Sequence, residues 1–561
     1  MMLLLVAAML GLARPAAAGL LFQRPLFSSG MILQRGAGTR IWGTTNATAA
    51  VTVTVTDGST GAVLASVKSA GPSGGKWMVT VAAGVDATMN STVTATDGVA
   101  VDSLADVAWG DVLLCGGQSN MGFGMCGATV IATGPHPQTP TEAMAALPTD
   151  NPIRFFNQHG DFNGGAGSTV KGNVCKDPAT TSNNGFERWF KAGATNSGAA
   201  SAVCLLTAQA LHSALGGGVP VGAVESCVGG TPVAEWTPPL GILYRQHITP
   251  VGNFSPWCAQ VCAGVRGCAR VCAGMHWCLW VKGVSTSASG IRWCALVCAV
   301  CGCKLLCSCV AKRILVIFFL PLSLQKLLPM RFLAALWDQG ERDEKTTNTT
   351  FYSVEFPKMI EGWRAAFETP GLPFVYVEIC SENGAEEPKE LDFWQYGQRA
   401  ALKLPAVGFA TTTDIDKSAL HPPDKQDIAP RLAGEIRRLA LGQNVVARGP
   451  ELVSTAFAAG RLDITFSNAS LVVHAGVVVP PPAQGCASGE YGWAYSPAVT
   501  QIVEHRHVQV PFVISGDTVT VTCTPGTATT PVIINGDPAT CFLYSGQSGL
   551  PAPPLSISCS A

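Results

Sequence analysis

A side-chain hydroxyl attacks an ester only when a base takes its proton and fixed N–H groups meet the oxyanion that forms. The sequence offers such groups in widely separated places. In LLCGGQSNM, an apolar run from Val107 to Leu114 breaks into Gly116 and Gly117 before Ser119 and Asn120. The glycines permit a tight turn, which sets Ser119 at the C-terminal edge of a strand, where open α/β sheets place their ligands. The backbone N–H of Ser119 is itself available as an oxyanion donor. The plainer alternative is a strand-to-loop turn carrying a solvated serine.

The base has one natural candidate. In DIDKSALHPPDKQDIAPRLAG, His421 stands in a proline-bounded loop just before a helical pattern, and imidazole is the side chain whose ordinary pKa lies near neutrality. Asp414 and Asp416 lie upstream within chain reach, so either can fix the imidazole tautomer by accepting from its far nitrogen. Two further loops follow strand-like runs: CVGGTPVAEW, with Gly229 and Gly230, and LAALWDQGERDE, with Gln339, Gly340 and Glu341. Both stand where oxyanion donors or their supports are needed. The other histidines form no H-E-x-x-H or similar metal cluster.

These residues need a scaffold that gathers strand ends. Between Val107 and Pro250, and again from Leu333 to Gly442, short apolar runs alternate with helical patterns, as in VAWGDVLLCG, AVCLLTAQALHSAL, VPVGAVESC and FVYVEIC. Such alternation predicts an α/β core with a mostly parallel sheet flanked by helices. The segment QDIAPRLAGEIRRLALG predicts a surface helix ending at Gly442, with Arg431, Arg437 and Arg438 off its apolar face. On either side the texture is β: VTVTVTD, KWMVTV and STVTAT in residues 19–106, and LVVHAGVVVPPP, VQVPFVIS and DTVTVTC in residues 443–561. The expected organisation is therefore an N-terminal β domain (19–106), a catalytic core (107–442) and a C-terminal β domain (443–561).

The chain has 561 residues, 13% of them charged, and a net charge of −1. No basic field exists to draw in phosphate backbones, so nucleic acid is not an expected partner. Residues 1–18 carry an apolar run followed by Ala16, Ala17 and Ala18, the pattern of a cleaved signal peptide, too short to span a bilayer. A secreted or lumenal protein is expected, with the lysosome among the destinations. Five N-x-[ST] sequons, starting at Asn46, Asn90, Asn253, Asn348 and Asn468, are compatible with export.

Of 21 cysteines, 11 fall between Cys258 and Cys309. They belong to an atypical segment, residues 256–330, with an approximate ten-residue repeat seen in VCAGVRGCAR and VCAGMHWCLW. Apolar residues fill the gaps that a structural zinc site would leave polar. The run ILVIFFLPLSL is too short and too interrupted by Pro321 to make a stable membrane span. The segment reads as an insertion without a catalytic role.

Taken in order, GGQSNM, GGTPVAEWTP, WDQGERD and LHPPDKQDIAPRLA resemble the motif series of sialate O-acetylesterases, carbohydrate esterases of the broader SGNH-hydrolase type. The resemblance extends to LFSSGMILQR near the start and CFLYSGQSGLPAPPL near the end, and so covers nearly everything outside residues 252–332. It implies that Ser119 is the nucleophile and His421 the base. It also implies that the amides of Ser119 and Gly230 and the side chain of Gln339 form the oxyanion hole, with Asn120 and Glu341 in support. Where the superfamily usually places an aspartate three residues before the histidine, this chain has Ser418. The acid is therefore assigned first to Asp416 and second to Asp414.

The implied activity is hydrolysis of O-acetyl esters on sialic acids or related sugars through an acetyl-enzyme, with no metal or organic cofactor. The expected partner is an O-acetylated sugar or glycan. Two other readings share the motifs: a deacetylase of acetyl-xylan or another polysaccharide, and an inactive carbohydrate-binding protein.

Overall fold

The computed structural model describes residues 19–128, 152–157, 188–238, 324–379, 392–412, 414–415, 421–475, 499–523, 531–535 and 541–559, apart from scattered positions within these ranges. Residues 1–18, Asp416 and all the cysteines of the 256–330 segment lie outside the described residues. The chain divides into two compact units, one made of residues 1–237 with 326–561 and the other of residues 238–325. The second falls almost wholly outside the described residues.

The frame of the first unit is a sheet of seven strands in spatial order: β3 (Trp189–Lys191), β2 (Ile153–Asn157), β4 (Val221–Cys227), β1 (Val101–Gly117), β5 (Ala334–Asp338), β6 (Phe374–Glu378) and β7 (Val407–Thr411). From β2 to β7 each neighbour is parallel to the next, and only β3 runs antiparallel, against β2. Parallel strands covered on both faces read as continuous apolar runs. Accordingly β4, β5, β6 and β7 are buried at every position.

Side chains alternate across the sheet. Leu113, Leu336, Val375 and Val377 face a core shared with helices α1 (Ala202–Ala214) and α4 (Ile428–Ala440). Ser201 caps α1, its Oγ accepting from the Cys204 N–H at 3.1 Å. The opposite face packs against α3 (Thr349–Ala366), which follows the short α2 (Glu341–Thr346). There Trp363 meets Trp337 and Phe374 at ring separations of 5.6 and 5.8 Å, and Phe356 meets Tyr376 at 5.3 Å. A disulfide joins Cys115 of β1 to Cys204 of α1.

At 17 residues β1 is far longer than its neighbours, because it serves two sheets. Its first half pairs antiparallel with Thr88–Thr96, which belongs to the β-rich N-terminal part, while its second half lies at the centre of the parallel sheet. The expected boundary between residues 106 and 107 therefore falls inside one strand. Asp106 adopts a left-handed conformation there (φ 54°) within an irregular register. The fully buried Arg154 of β2 pins this point, pairing with Asp106 at 2.8 Å and donating to the Met31 and Met89 carbonyls.

After α4 the described strands are antiparallel. One four-stranded sheet holds Leu452–Ala458, Arg461–Phe466, Phe512–Ser515 and Thr518–Thr522, and another holds Val499–Val503, Arg506–Gln509, Pro531–Ile534 and Leu555–Ser558. They share an apolar core closed by the Cys523–Cys559 disulfide. No described helix is long and apolar enough to cross a membrane.

Candidate active site

Three adjacent parallel strands end level with one another. In register, Gly117 of β1 lies opposite Cys227 of β4 and Asp338 of β5. Ser119 follows two residues after β1, Gly230 three after β4 and Gln339 one after β5, so the parallel register brings three distant motifs to one sheet edge. The turn at Gly117 depends on glycine. Its φ is +143°, and a Cβ there would sit 2.2 Å from the Asp338 carbonyl oxygen. The Asp338 carbonyl also accepts from the Gln118 N–H at 3.0 Å, which fixes the start of the serine loop.

His421 reaches this edge from the loop before α4. Its Nε2 lies 2.7 Å from Ser119 Oγ, both side chains half-buried, with the imidazole stacked on Phe123 at 6.4 Å between ring centres. That is the contact a base needs to draw the hydroxyl proton. Among the described residues the backbone N–H groups of Ser119 and Gly230 have no protein acceptor, and Gly230 is exposed with a φ of +69°. Two N–H groups at this sheet edge thus have no acceptor among the described residues.

The residues flanking Ser119 are clamped by one carboxylate. Glu341, the first residue of α2, accepts from Gln118 Nε2 at 2.5 Å through one oxygen and from Asn120 Nδ2 through the other. Asn120 Oδ1 accepts from Lys425 Nζ at 2.8 Å. Burial pushes the Glu341 carboxyl above its ordinary range, with the Asn120 hydrogen bond and the Lys425 charge pulling the other way. Burial likewise raises Asp338 to about 7, offset by Lys425 and reinforced by Glu341. Asn120 and Glu341 therefore hold the Ser119 loop in place.

Gln339 departs from the expectation of a free oxyanion donor. It is fully buried, and its Nε2 donates to the Thr231 carbonyl at 3.0 Å and to Asp343 Oδ2 at 2.6 Å, which occupies both amide hydrogens. Its Oε1 accepts from the Tyr352 hydroxyl at 3.1 Å, which settles the amide orientation. Asp343 Oδ2 also accepts from the Val233 N–H at 2.8 Å. The Gln339–Asp343 pair thus grips residues 231–233, immediately after Gly230. Tethering this loop from two sides is a positioning task.

Asp414, the second choice for the acid, is committed elsewhere. The Arg431 guanidinium grips both carboxylate oxygens at 2.7 Å, and the Tyr544 hydroxyl donates to Oδ2 at 3.0 Å. Arg431 is buried, contrary to the solvent-facing position its helical spacing suggests, because the fork reaches inward to Asp414 beneath the histidine loop. Lys425 and Tyr544 join the site without having stood out in the sequence, and Asp343 joins it as the continuation of the QGE motif. Lys425 has a signal, a lone lysine among prolines and acids in the histidine motif, whereas Tyr544 comes from another region altogether. Among the described residues no group of three or more His, Cys, Asp or Glu side chains is gathered to hold a metal ion.

Residues 322–428, which carry Gln339, Glu341, His421 and Lys425, match the family model described as carbohydrate esterase, sialic acid-specific acetylesterase. The chain is 24% identical over 462 residues to the sialate O-acetylesterase of Rattus norvegicus, covering 75% of this chain and 74% of that one. It is 24% identical over 387 residues to the sialate O-acetylesterase of Homo sapiens, covering 64% of this chain and 60% of that one. In fold it is similar to a carbohydrate acetylesterase from Xanthomonas citri, with a TM-score of 0.61 at 21% identity over 95% of this chain and 98% of that structure. The chain is thus similar, in sequence and in fold, to carbohydrate esterases of the sialate O-acetylesterase type.

Proposed function

We propose that this esterase hydrolyses O-acetyl groups on sialic acids, or on closely related sugars, through an acetyl-enzyme at Ser119. The 2.7 Å contact between His421 Nε2 and Ser119 Oγ, set at the C-terminal edge of the parallel sheet, carries the reading. His421 takes the hydroxyl proton as Ser119 Oγ attacks the acetyl carbonyl. The amides of Ser119 and Gly230 receive the oxyanion, and the proton passes to the departing sugar oxygen. Water, deprotonated by the same imidazole, then attacks the acetyl-enzyme and releases acetate. Asp416 orients the imidazole, since Asp414 is engaged by Arg431 and Tyr544. The reaction draws only on groups of the chain and needs no cofactor.

The core is of the SGNH type and spans residues 107–442, with β domains at 19–106 and 443–561 and an insert at 256–330 that takes no part in catalysis. The protein enters the secretory pathway by a signal peptide at residues 1–18. Two cross-linked cysteine pairs, Cys115–Cys204 and Cys523–Cys559, support an oxidising compartment. The names of the rat and human relatives support a sialic acid as the sugar. The test is acetate release from O-acetylated sialic acid and from acetyl-xylan, with Ser119→Ala as control. Serine-dependent release from the sialic acid supports the assignment, serine-dependent release from xylan alone moves the substrate to plant polysaccharide, and release from neither rejects the esterase reading.

A further inference from the structure

Two loops carry the reacting pair, and two polar contacts cross between them. Ser119 and Asn120 are neighbours on the loop after β1, while His421 and Lys425 lie four residues apart on the loop before α4. His421 meets Ser119 at 2.7 Å and Lys425 Nζ meets Asn120 Oδ1 at 2.8 Å. The second contact is buried. Lys425 is 2% exposed, and its ammonium lies 5.4 Å from the centre of the Phe123 ring, the ring that also stacks on His421. Asn120 in turn donates to Glu341, whose other oxygen holds Gln118.

We infer that Lys425 is a positioning residue for catalysis, registering the His421 loop on the Ser119 loop through Asn120. The inference rests on Ser119 and His421 being the reacting pair. An ammonium is seldom buried unless its position is used, because leaving water is costly for a charge. Here it supplies the cation that a pocket containing Glu341 and Asp338 requires. It also fixes the spacing of two loops whose ends come from opposite parts of the chain. Without it, Asn120 keeps its bond to Glu341 but loses its own link to the histidine loop, leaving the register of the two loops more dependent on the Ser119–His421 contact, which must open in each turnover. A displacement of about 1 Å at a reacting pair can cost about 10²-fold in rate.

The test is a cycle of Lys425→Met, Asn120→Ala and the pair together in the full chain, assayed for kcat and KM with 4-nitrophenyl acetate and for thermal melting. Lys425→Met is expected to lower kcat by about 10²-fold with KM within about twofold of wild type. In the pair, the losses should fail to multiply, because both changes cut one link. Wild-type kcat in folded Lys425→Met, or losses that multiply, overturns the inference. If Lys425→Met does not fold, Lys425→Met with Glu341→Gln and Asp338→Asn removes the buried carboxylates that the ammonium faces, and wild-type kcat in that chain overturns it equally. Ser119→Ala runs alongside: activity retained there sinks the active-site reading itself, a result distinct from any failure of Lys425.

Discussion

Ser119 and His421 stand 302 residues apart in the chain and 2.7 Å apart in space. The distance is a product of architecture, since β1 delivers the serine at the sheet edge and α4 anchors the loop that delivers the histidine. Removing the imidazole leaves the hydroxyl without a proton acceptor. His421→Ala is therefore expected to lower kcat by about 10⁴-fold or more while leaving the melting temperature near wild type. A stopped assay of acetate release on the purified variant checks this, and a loss below tenfold would place the base elsewhere.

The Gln339 amide is spent on Thr231 and Asp343, and this separates two accounts of its role. As a loop anchor, Gln339→Ala and Asp343→Ala should both reduce kcat, by about tenfold or more, and both should lower the melting temperature, since each leaves buried polar groups unpaired. As an oxyanion donor, Gln339→Ala alone should cost on the order of 10² to 10³ in rate, with Asp343→Ala nearly silent. Parallel kinetics and melting curves on the two variants decide between them.

Asp414, Arg431 and Tyr544 tie the histidine loop, α4 and the C-terminal β region into one buried unit. Arg431→Met strands the Asp414 carboxylate and is expected to cost about 3 to 5 kcal/mol of stability. Tyr544→Phe removes one hydroxyl from a charged acceptor and is expected to cost about 1.5 to 3 kcal/mol. Chemical denaturation gives both numbers. Equal losses in the two variants would mean that the guanidinium fork is not the principal partner of Asp414.

Burial raises the carboxyls of Glu225, Asp338 and Asp424, each to about 7. Between about pH 4 and 7 the folded chain holds protons on these groups that the unfolded chain has released, so stability falls as pH rises through that window. Their contribution is fully present below the unfolded pKa values and lost above about 7. The melting temperature should accordingly be higher at pH 5 than at pH 8. A higher value at pH 8 would show that these carboxyls are ionised at little cost in the fold.

Local signals in the sequence carry much of this design. Two glycines between an apolar run and a serine mark a strand that ends in a tight turn, and Gly117 meets that need because the Asp338 carbonyl comes within 2.2 Å of its missing Cβ. Helical spacing marks α4 within two residues of its end. What local pattern does not contain is the identity of partners from other segments. Spacing alone turns Arg431 toward solvent because its target, Asp414, sits 17 residues upstream in a loop with no periodicity. The Gln339 amide looks free in the sequence because one acceptor, Thr231, becomes its neighbour only once β4 and β5 are set on either side of β1, and the other, Asp343, only once the turn into α2 has formed. The choice of acid turns on Asp416, which lies outside the described residues.

The proposed reaction passes through a covalent acetyl-enzyme on Ser119. Its most direct test is to quench the full chain during turnover of an O-acetylated sialic acid and identify, by peptide mass spectrometry, the residue that carries acetate. Acetyl on the Ser119 peptide, absent from Ser119→Ala and accumulating when deacylation is slowed, is the expected result. Acetate release at the wild-type rate from Ser119→Ala would show that the reaction does not pass through Ser119.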